Sequence, residues 1–476
     1  MSYQVPQHID KNKIFIVKRS EIEGRLEPEF YSPSIFALEK KIRSLSSHKL
    51  SFYAKSLVGG ATPLKSCSDE YYSNEKEGIS FLRVQNLQSD GNINLSNCLY
   101  INTNIHNGLL KRSQVNGGDL LVKITGVGRM AVASVAPKNF VGNTNQHMVV
   151  IKTNNESTSK YLSRYLNLDI IEKIASRHST GGTRPALDYP SLKAILIIEN
   201  IDFSLIDNAL YEKQHKEAEA QKLLDNIDGY ILNELEITMP KIDSCNNRKI
   251  FTLNKSELSN RYDPYYFQDY FKISFEEINK CSYPIKTIKE LSSLITSGIT
   301  PKSGGDAYTE DQINIRSGNI DINGKLDFAD LLYLRPEIHN TTMKSSQVKK
   351  EDLLIAIVGA TIGQVGIYLD ECEANINQAI ALVRLKSGIN VQYVKELIKS
   401  SIGQLSLNRL KRPVACANIN LEEISTIKIP LPPLAKQQEI VDHITALRHQ
   451  AAQLQQEGKE ALEKAKQEVE EMILGK

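Results

Sequence analysis

The sequence predicts an α+β protein of two tandem mixed α/β domains, each followed by a long helix, with the two helices pairing as an antiparallel coiled coil. Three observations carry that expectation. The chain repeats itself internally in ordered blocks, each copy holds short apolar runs set between glycine, asparagine and proline, and each copy closes on a proline-free stretch with heptad-like apolar spacing. The expected boundaries are 1–200 for the first domain, 201–240 for its helix, 241–432 for the second domain and 433–476 for the second helix.

The repeat comes first in the chain's logic. Ser20, Glu21, Arg25 and Pro28 recur as Ser256, Glu257, Arg261 and Pro264, and Thr62-Pro63 recurs as Thr300-Pro301. Arg83 and Asn86 fall on Arg316 and Asn319. The block HNGLLKRSQVNGGDLL from His106 aligns without gaps to HNTTMKSSQVKKEDLL from His339, with nine of sixteen positions identical, where unrelated sequence would share about one. Asn143, Asn145 and Gln146 match Asn375, Asn377 and Gln378. The anchors keep one order in both halves, so the chain is a duplication.

Within each copy the runs 119–124, 148–152, 352–358 and 379–385 read as strands. A helix is expected over 158–176 and over 390–409, followed by another strand at 192–198 and 424–429. Each globular part is then a mixed α+β domain of roughly 200 residues. From Leu434 to Leu474 there is no proline, and Pro432-Pro433 marks a sharp helix entry. Ile440, Ile444, Leu447, Ala451, Leu454, Ala461, Ala465 and Met472 form the seam, interrupted at Gly458 and Glu468. The first helix offers Ile206, Leu210, Ala220, Leu224, Ile227 and Ile231, with Lys213 and Glu217 weakening its stripe. Helices of this length span about 50–60 Å and need a partner for a stripe this narrow. Each other is the obvious one; packing of each helix on its own domain alone is the alternative. An antiparallel pair would hold the domains as a pseudo-two-fold dumbbell, a symmetry suited to a duplex.

Composition bounds the function loosely. The chain has 476 residues, 41% of them apolar and 24% charged, with a net charge of +2, so a basic surface would have to be local or supplied in part by a partner. The N-terminal residues hold no signal-like apolar core, and no window reaches the roughly 18 apolar residues of a membrane span. Six scattered cysteines (Cys67, Cys98, Cys245, Cys281, Cys372, Cys416) without a CxxC pair suggest free thiols in a reducing cytoplasm, with neither a zinc site nor a disulfide framework.

The stretch IPLPPLAKQQEIV from Ile429 strongly resembles the segment that closes the target-recognition domain of type I restriction specificity subunits and leads into their helix. The domain-then-helix layout, twice over, is similar to that family along essentially the whole chain. The resemblance implies a non-catalytic subunit whose two target-recognition domains read the two parts of a bipartite target in double-stranded DNA, with the helices setting the interval. It also implies adenine methyltransferase (modification) subunits as partners, a motor-nuclease subunit where the system cleaves, and no cofactor or membrane. Two departures stand out: the first half has AILIIENID from Ala194 in place of the PLPPL element, and the N-terminal extension lacks the family's tryptophan-containing opening.

Catalytic readings find little support. Pro432-Pro433 is flanked by Leu431 and Leu434, so it has neither the amino-group acceptor nor the stacking ring of an aminomethyltransferase motif. The glycines at Gly126, Gly128, Gly359, Gly363 and Gly366 fit no phosphate-loop pattern, no proline precedes an aspartate, and there is no HExxH or Cys/His cluster of metal spacing. A self-contained methyltransferase or nuclease, and a protein–protein scaffold or inhibitor without DNA reading, remain the alternatives. Residues shared by both halves read as framework or phosphate contacts, because two domains reading different bases should differ where they read. The divergent segments are 64–78 against 302–311, 127–142 against 360–374, and 176–188 against 406–418. The last pair is the most basic and supplies the DNA-binding candidates: Arg177, His178, Thr180 and Arg184 in one half, Asn408, Arg409, Lys411 and Arg412 in the other.

Overall fold

Strands buried on both faces organise each half of the chain. The computed structural model describes residues 10, 13–22, 24–63, 68–240, 252–254, 258, 261–301, 308–412 and 417–475. It forms two units, residues 1–217 with 454–476 and residues 218–453.

In the first unit, β1 (Ser56–Gly59), β2 (Ile79–Leu82), β3 (Leu99–Ile101), β4 (Gln114–Asn116), β5 (Leu120–Lys123), β6 (Ala133–Val135), β7 (Val141–Thr144) and β8 (Met148–Lys152) make two sheets. One runs β1-β8-β5-β6, all antiparallel. The other runs from the short strand Tyr72–Ser73 through β3-β2-β7-β4, with β2 and β7 parallel and Phe81 opposite Asn143. The two-residue period sorts the apolar run of β5 and β8. Leu120, Val122, Val149 and Ile151 join the core with the helices, while Leu121, Met148 and Val150 join a second core with Leu82 and Val115 of the other sheet. Each such buried side chain contributes about 2 kcal/mol.

The second unit repeats this plan. β9 (Ser292–Ser297), β10 (Tyr308–Ile315), β11 (Leu332–Leu334), β12 (Gln347–Val348), β13 (Leu353–Ala356), β14 (Val365–Ile367), β15 (Ala374–Ile376) and β16 (Ile380–Leu385) give sheets β9-β16-β13-β14 and β11-β10-β15-β12. Again one pair, β10 and β15, is parallel. Leu353, Ile355, Ala381 and Val383 face the helical core, and Leu354, Ile380 and Leu382 face the other. The duplication seen in sequence is therefore a duplication of strand order.

The helices differ from expectation in detail. The single helix expected over 158–176 is two, α1 (Glu156–Leu166) and α2 (Asp169–His178). The break falls at Leu168, whose backbone is extended (φ −67°, ψ 144°), beside Asn167. The Asn167 amide brackets Ala133, donating to its carbonyl at 2.6 Å and accepting from its N–H at 3.2 Å. Likewise 390–409 divides into α4 (Val391–Lys399) and α5 (Ser401–Leu410) at the extended Ser400, where α3 is kept for the long helix Ser204–Glu234 that precedes them. The strands expected at 192–198 and 424–429 shrink to 196–197 and 428–430, because a short helix capped by Asp188 or Asn420 occupies the first residues.

The closing helix, α6 (Leu434–Leu474), has the expected extent. In the first unit its C-terminal part shares a core with the N-terminal part of α3: Ile206, Ala209 and Leu210 with Leu462, Ala465 and Val469. Lys216 bonds Glu457 at 2.8 Å. In the second unit Tyr230 stacks on His443 at 4.0 Å and Glu234 pairs with Lys436 at 2.5 Å. In both units lower numbers meet higher ones, so the helices pack antiparallel. The seam needs correcting at its end. Gly458 is buried and no interruption: a Cβ there would stand 3.1 Å from the Lys213 Cα, so the missing side chain is what allows the approach. Beyond it the stripe shifts by one residue to Leu462 and Val469, leaving Met472 59% exposed.

Candidate nucleic-acid interface

The ends of β5 and β8 gather three segments of the first unit. Ile124 N–H donates to the His147 carbonyl at 3.0 Å, and Leu187 N–H donates to the Ile124 carbonyl at 2.8 Å. Gly126 N–H reaches the Pro185 carbonyl at 3.1 Å. Thr180 and Ala186 exchange two backbone bonds of 2.8 Å, closing a loop whose tip is Gly181 (φ +95°) and Gly182. Thr180, Gly181, Gly182, Thr183 and Arg184 are all exposed. The second unit joins the same places: Ile357 N–H to the Ala379 carbonyl at 2.9 Å, Ile419 N–H to Ile357 at 3.0 Å, and Gly359 N–H to Ala417 at 2.9 Å. Two of the three divergent segment pairs thus converge in each unit at equivalent strand ends. The third, 64–78 against 302–311, lies partly outside the described residues.

The candidate side chains divide sharply. Arg184 is exposed and makes no hydrogen bond or ion pair among the described residues. Thr180 is exposed beside it. Arg177 has a different position: 8% exposed, it donates to the Phe30 carbonyl at 2.6 Å, pairs with Glu39 and lies 4.2 Å over the Phe30 ring. His178 also meets Glu39, at 3.3 Å, and packs edge-on to Phe30. Burial pushes the Glu39 carboxyl up, but the bond and charge of His178 and the Arg177 guanidinium more than offset this and hold it at about 2.

Arg409 is the second unit's version of Arg177. It donates to the Tyr266 carbonyl at 3.0 Å and lies 4.1 Å over the Tyr266 ring, the ring that occupies the place of Phe30 in the repeat. Arg25 and Arg261 also lie over these rings, at 4.7 and 4.5 Å from their centroids. Each unit therefore has an aromatic ring shared by two guanidiniums, tying its N-terminal arm to the end of α2 or α5. Arg412 is held by Glu423 at 2.8 and 3.2 Å and by Asn418, and Lys411 bonds Asn408 at 2.9 Å. Residues 413–416, which complete that loop, lie outside the described residues.

Several of the polar residues shared by both halves are internal. Asn143 is fully buried, bonded to His106 at 2.5 Å and to the Leu110 carbonyl at 2.9 Å; Asn375 makes the same bonds to His339 and Met343. Asn86 and Asn319 each accept from the N–H of the arginine three residues earlier, at 2.8 and 2.9 Å, and those arginines donate to the carbonyls of Asn97 and Asp330. Gln146 and Gln378 are exposed and paired with the exposed Thr62 and Thr300, and Ser20, Pro28 and Pro264 are exposed too; the buried set is what holds the fold. This is framework, as expected for side chains that both halves keep.

One residue escaped the sequence reading. Lys123 ends β5, is 6% exposed, and donates to the Val127 carbonyl at 2.7 Å. The signal was a lysine closing an otherwise apolar strand (LLVK), at the position where the second half has Ala356. Among the described residues no group of His, Cys, Asp or Glu side chains could hold a metal ion. None of their helices is long and apolar enough to cross a membrane.

Residues 286–464 match the family described as type I restriction modification DNA specificity domain. The chain is 33% identical over 129 residues to the type I restriction enzyme EcoBI specificity subunit of Escherichia coli, covering 27% of each chain. It is 26% identical over 168 residues to the EcoKI specificity subunit of Escherichia coli strain K12, covering 34% of this chain and 35% of that one. The matched stretches thus span about a quarter to a third of these relatives. A solved structure described by the assembly and conformational transition of the type I R-M system aligns over 88% of this chain and 96% of its own, at 14% identity and a TM-score of 0.44.

Proposed function

We propose, for a chain that carries a type I restriction modification DNA specificity domain over residues 286–464 and an internal copy of its strand order, that it is the DNA specificity subunit of a type I-like restriction-modification complex. Each unit reads one part of a bipartite sequence in double-stranded DNA. The chemistry, adenine methylation and in some systems cleavage, belongs to partner modification and motor-nuclease subunits in the cytoplasm, and this chain contributes no catalytic group. The boundaries assigned to the readers are 1–200 and 241–432, with 201–240 and 433–476 as their helices.

One observation carries the reading. Two units share strand order, buried asparagines and arginine-aromatic clamps, yet differ in the loops at one equivalent strand end. A framework held constant under changing loops is what two readers of different sequences need. Within the loops, Arg184 is the strongest base- or phosphate-contacting candidate, with Thr180 beside it. Lys411 and Arg412 serve the second unit. Arg177, His178 and Arg409 hold the loops' roots instead.

The test is selection of DNA from a random duplex library by the full chain assembled with its modification subunits. Binding should weaken steeply with salt and return a two-part sequence. Arg184→Ala should lower discrimination in one part about tenfold and leave the other unchanged. Equal loss in both parts, or a library recovered without sequence preference, contradicts the reading.

A further inference from the structure

Resting on that reading, the loop after β5 offers a specific base contact. The loop Thr125–Met130 is tied down at four points. Gly126 N–H is held by Pro185 and the Val127 carbonyl by Lys123. The Arg129 guanidinium is held by Asp169 and the Asn167 carbonyl, and Met130 N–H by Glu172 at 3.3 Å. Gly126 (φ +123°) and Gly128 (φ +79°) flank Val127 in conformations that other residues rarely adopt. The one side chain pointing out of this frame is Val127, 77% exposed. A single exposed valine is ordinary on a protein surface. A buried ammonium engaged with that valine's own carbonyl is not ordinary, since burying a lysine is costly unless its bonds do something. Burial lowers the Lys123 ammonium from its usual range, with Glu172 opposing.

The second unit supplies a comparison. Gly359 (φ +73°) stands where Gly126 does, and the exposed residue after it is Ala360 in place of Val127. No lysine lies beneath, because β13 ends in Ala356. The two tips share the glycine before the exposed residue but differ in backbone, the second being a 3-10 turn over Gly359–Thr361, and in the apolar group presented.

We propose that Val127 is a specificity-determining residue of the first unit, packing on the 5-methyl group of a thymine in the major groove, and that Lys123 is the positioning residue that fixes its tip. Apolar side chains recognise thymine through that methyl, the one apolar feature on a major-groove base edge. A tip held at four points meets it without an ordering cost at binding.

The experiment removes the methyl from the DNA. The full chain, assembled with its modification subunits, is bound to its selected duplex and to duplexes with each thymine of the first half-site replaced in turn by deoxyuridine. One replacement should weaken binding by the wild-type complex about fourfold, the value of one buried methyl. In the Val127→Ala complex the same replacement should have less than twofold effect. Lys123→Met keeps the buried volume apolar; it should also lose the uracil sensitivity while the second half-site and the thermal midpoint stay as in wild type. No sensitive thymine in the first half-site, or equal sensitivity in wild type and Val127→Ala, overturns the proposal. A wild-type complex with no preferred sequence would instead overturn the reading on which it rests.

Discussion

At the scale of single residues, the arginines show how position changes meaning. Arg177, Arg184, Arg409 and Arg412 all look like DNA contacts in a polar, divergent segment. Only the structure separates Arg184, which is exposed, from Arg177, whose side chain is 4% exposed against Glu39. Arg177→Ala would remove one partner of the half-buried Glu39 carboxylate, which keeps His178 and Arg43, together with the ring and Phe30 carbonyl contacts, and should cost about 3 kcal/mol of stability in chemical denaturation. Arg409→Ala should cost about 2 kcal/mol, since its ring and carbonyl contacts have no carboxylate in them. Glu39 gives the first unit an acid limit. Its folded carboxyl sits near 2, below the ordinary value of 4.5, so its contribution is complete above that ordinary value and lost as pH falls toward 2. Thermal melts should therefore fall more steeply below about pH 4.5 for wild type than for Glu39→Gln; parallel curves would show that Glu39 is not the group responsible. None of this was legible in sequence, because Arg177 meets Phe30 and Glu39 across about 140 residues of chain. What was legible was the framework: identity of Asn143 with Asn375 already argued for a shared internal role.

At the scale of elements, apolar periodicity located the strands and the long helices well, since a run buried on both faces and a heptad stripe are local signals. It failed where a local break is set by distant contacts, as at Asn167, whose amide is engaged with Ala133. It also misread Gly458, taken for a flaw in the seam. The two helical glycines now make opposite predictions. Nothing lies within 4 Å of a Cβ at Gly229, so Gly229→Ala should gain about 1 kcal/mol from helix propensity. Gly458→Ala meets the Lys213 backbone and should lose about 1 kcal/mol in the same denaturation assay. Equal gains would show that the helices do not approach closely there. Farther along α6, Arg448 grips the buried Glu396 carboxylate with two bonds of 2.6 and 2.5 Å. Arg448→Ala should destabilise the second unit by about 3 kcal/mol, whereas Arg448→Lys should recover only part of that, because a single ammonium cannot reproduce the fork.

For the whole molecule, duplication is the feature that sequence disclosed most completely, and the structure extends it from residue anchors to strand order, core division and ring clamps. Duplication also explains why net charge says so little: the proposed contact surface is a pair of small loops on a near-neutral framework. The central claim is that two units of one plan read two different parts of one DNA sequence. It is tested most directly by mapping methylated adenines across the genome of host cells with the gene intact, deleted, and carrying Arg184→Ala. A two-part methylated motif should vanish on deletion and relax in only one part with the substitution. A motif that survives deletion, or one that relaxes equally in both parts, would contradict it.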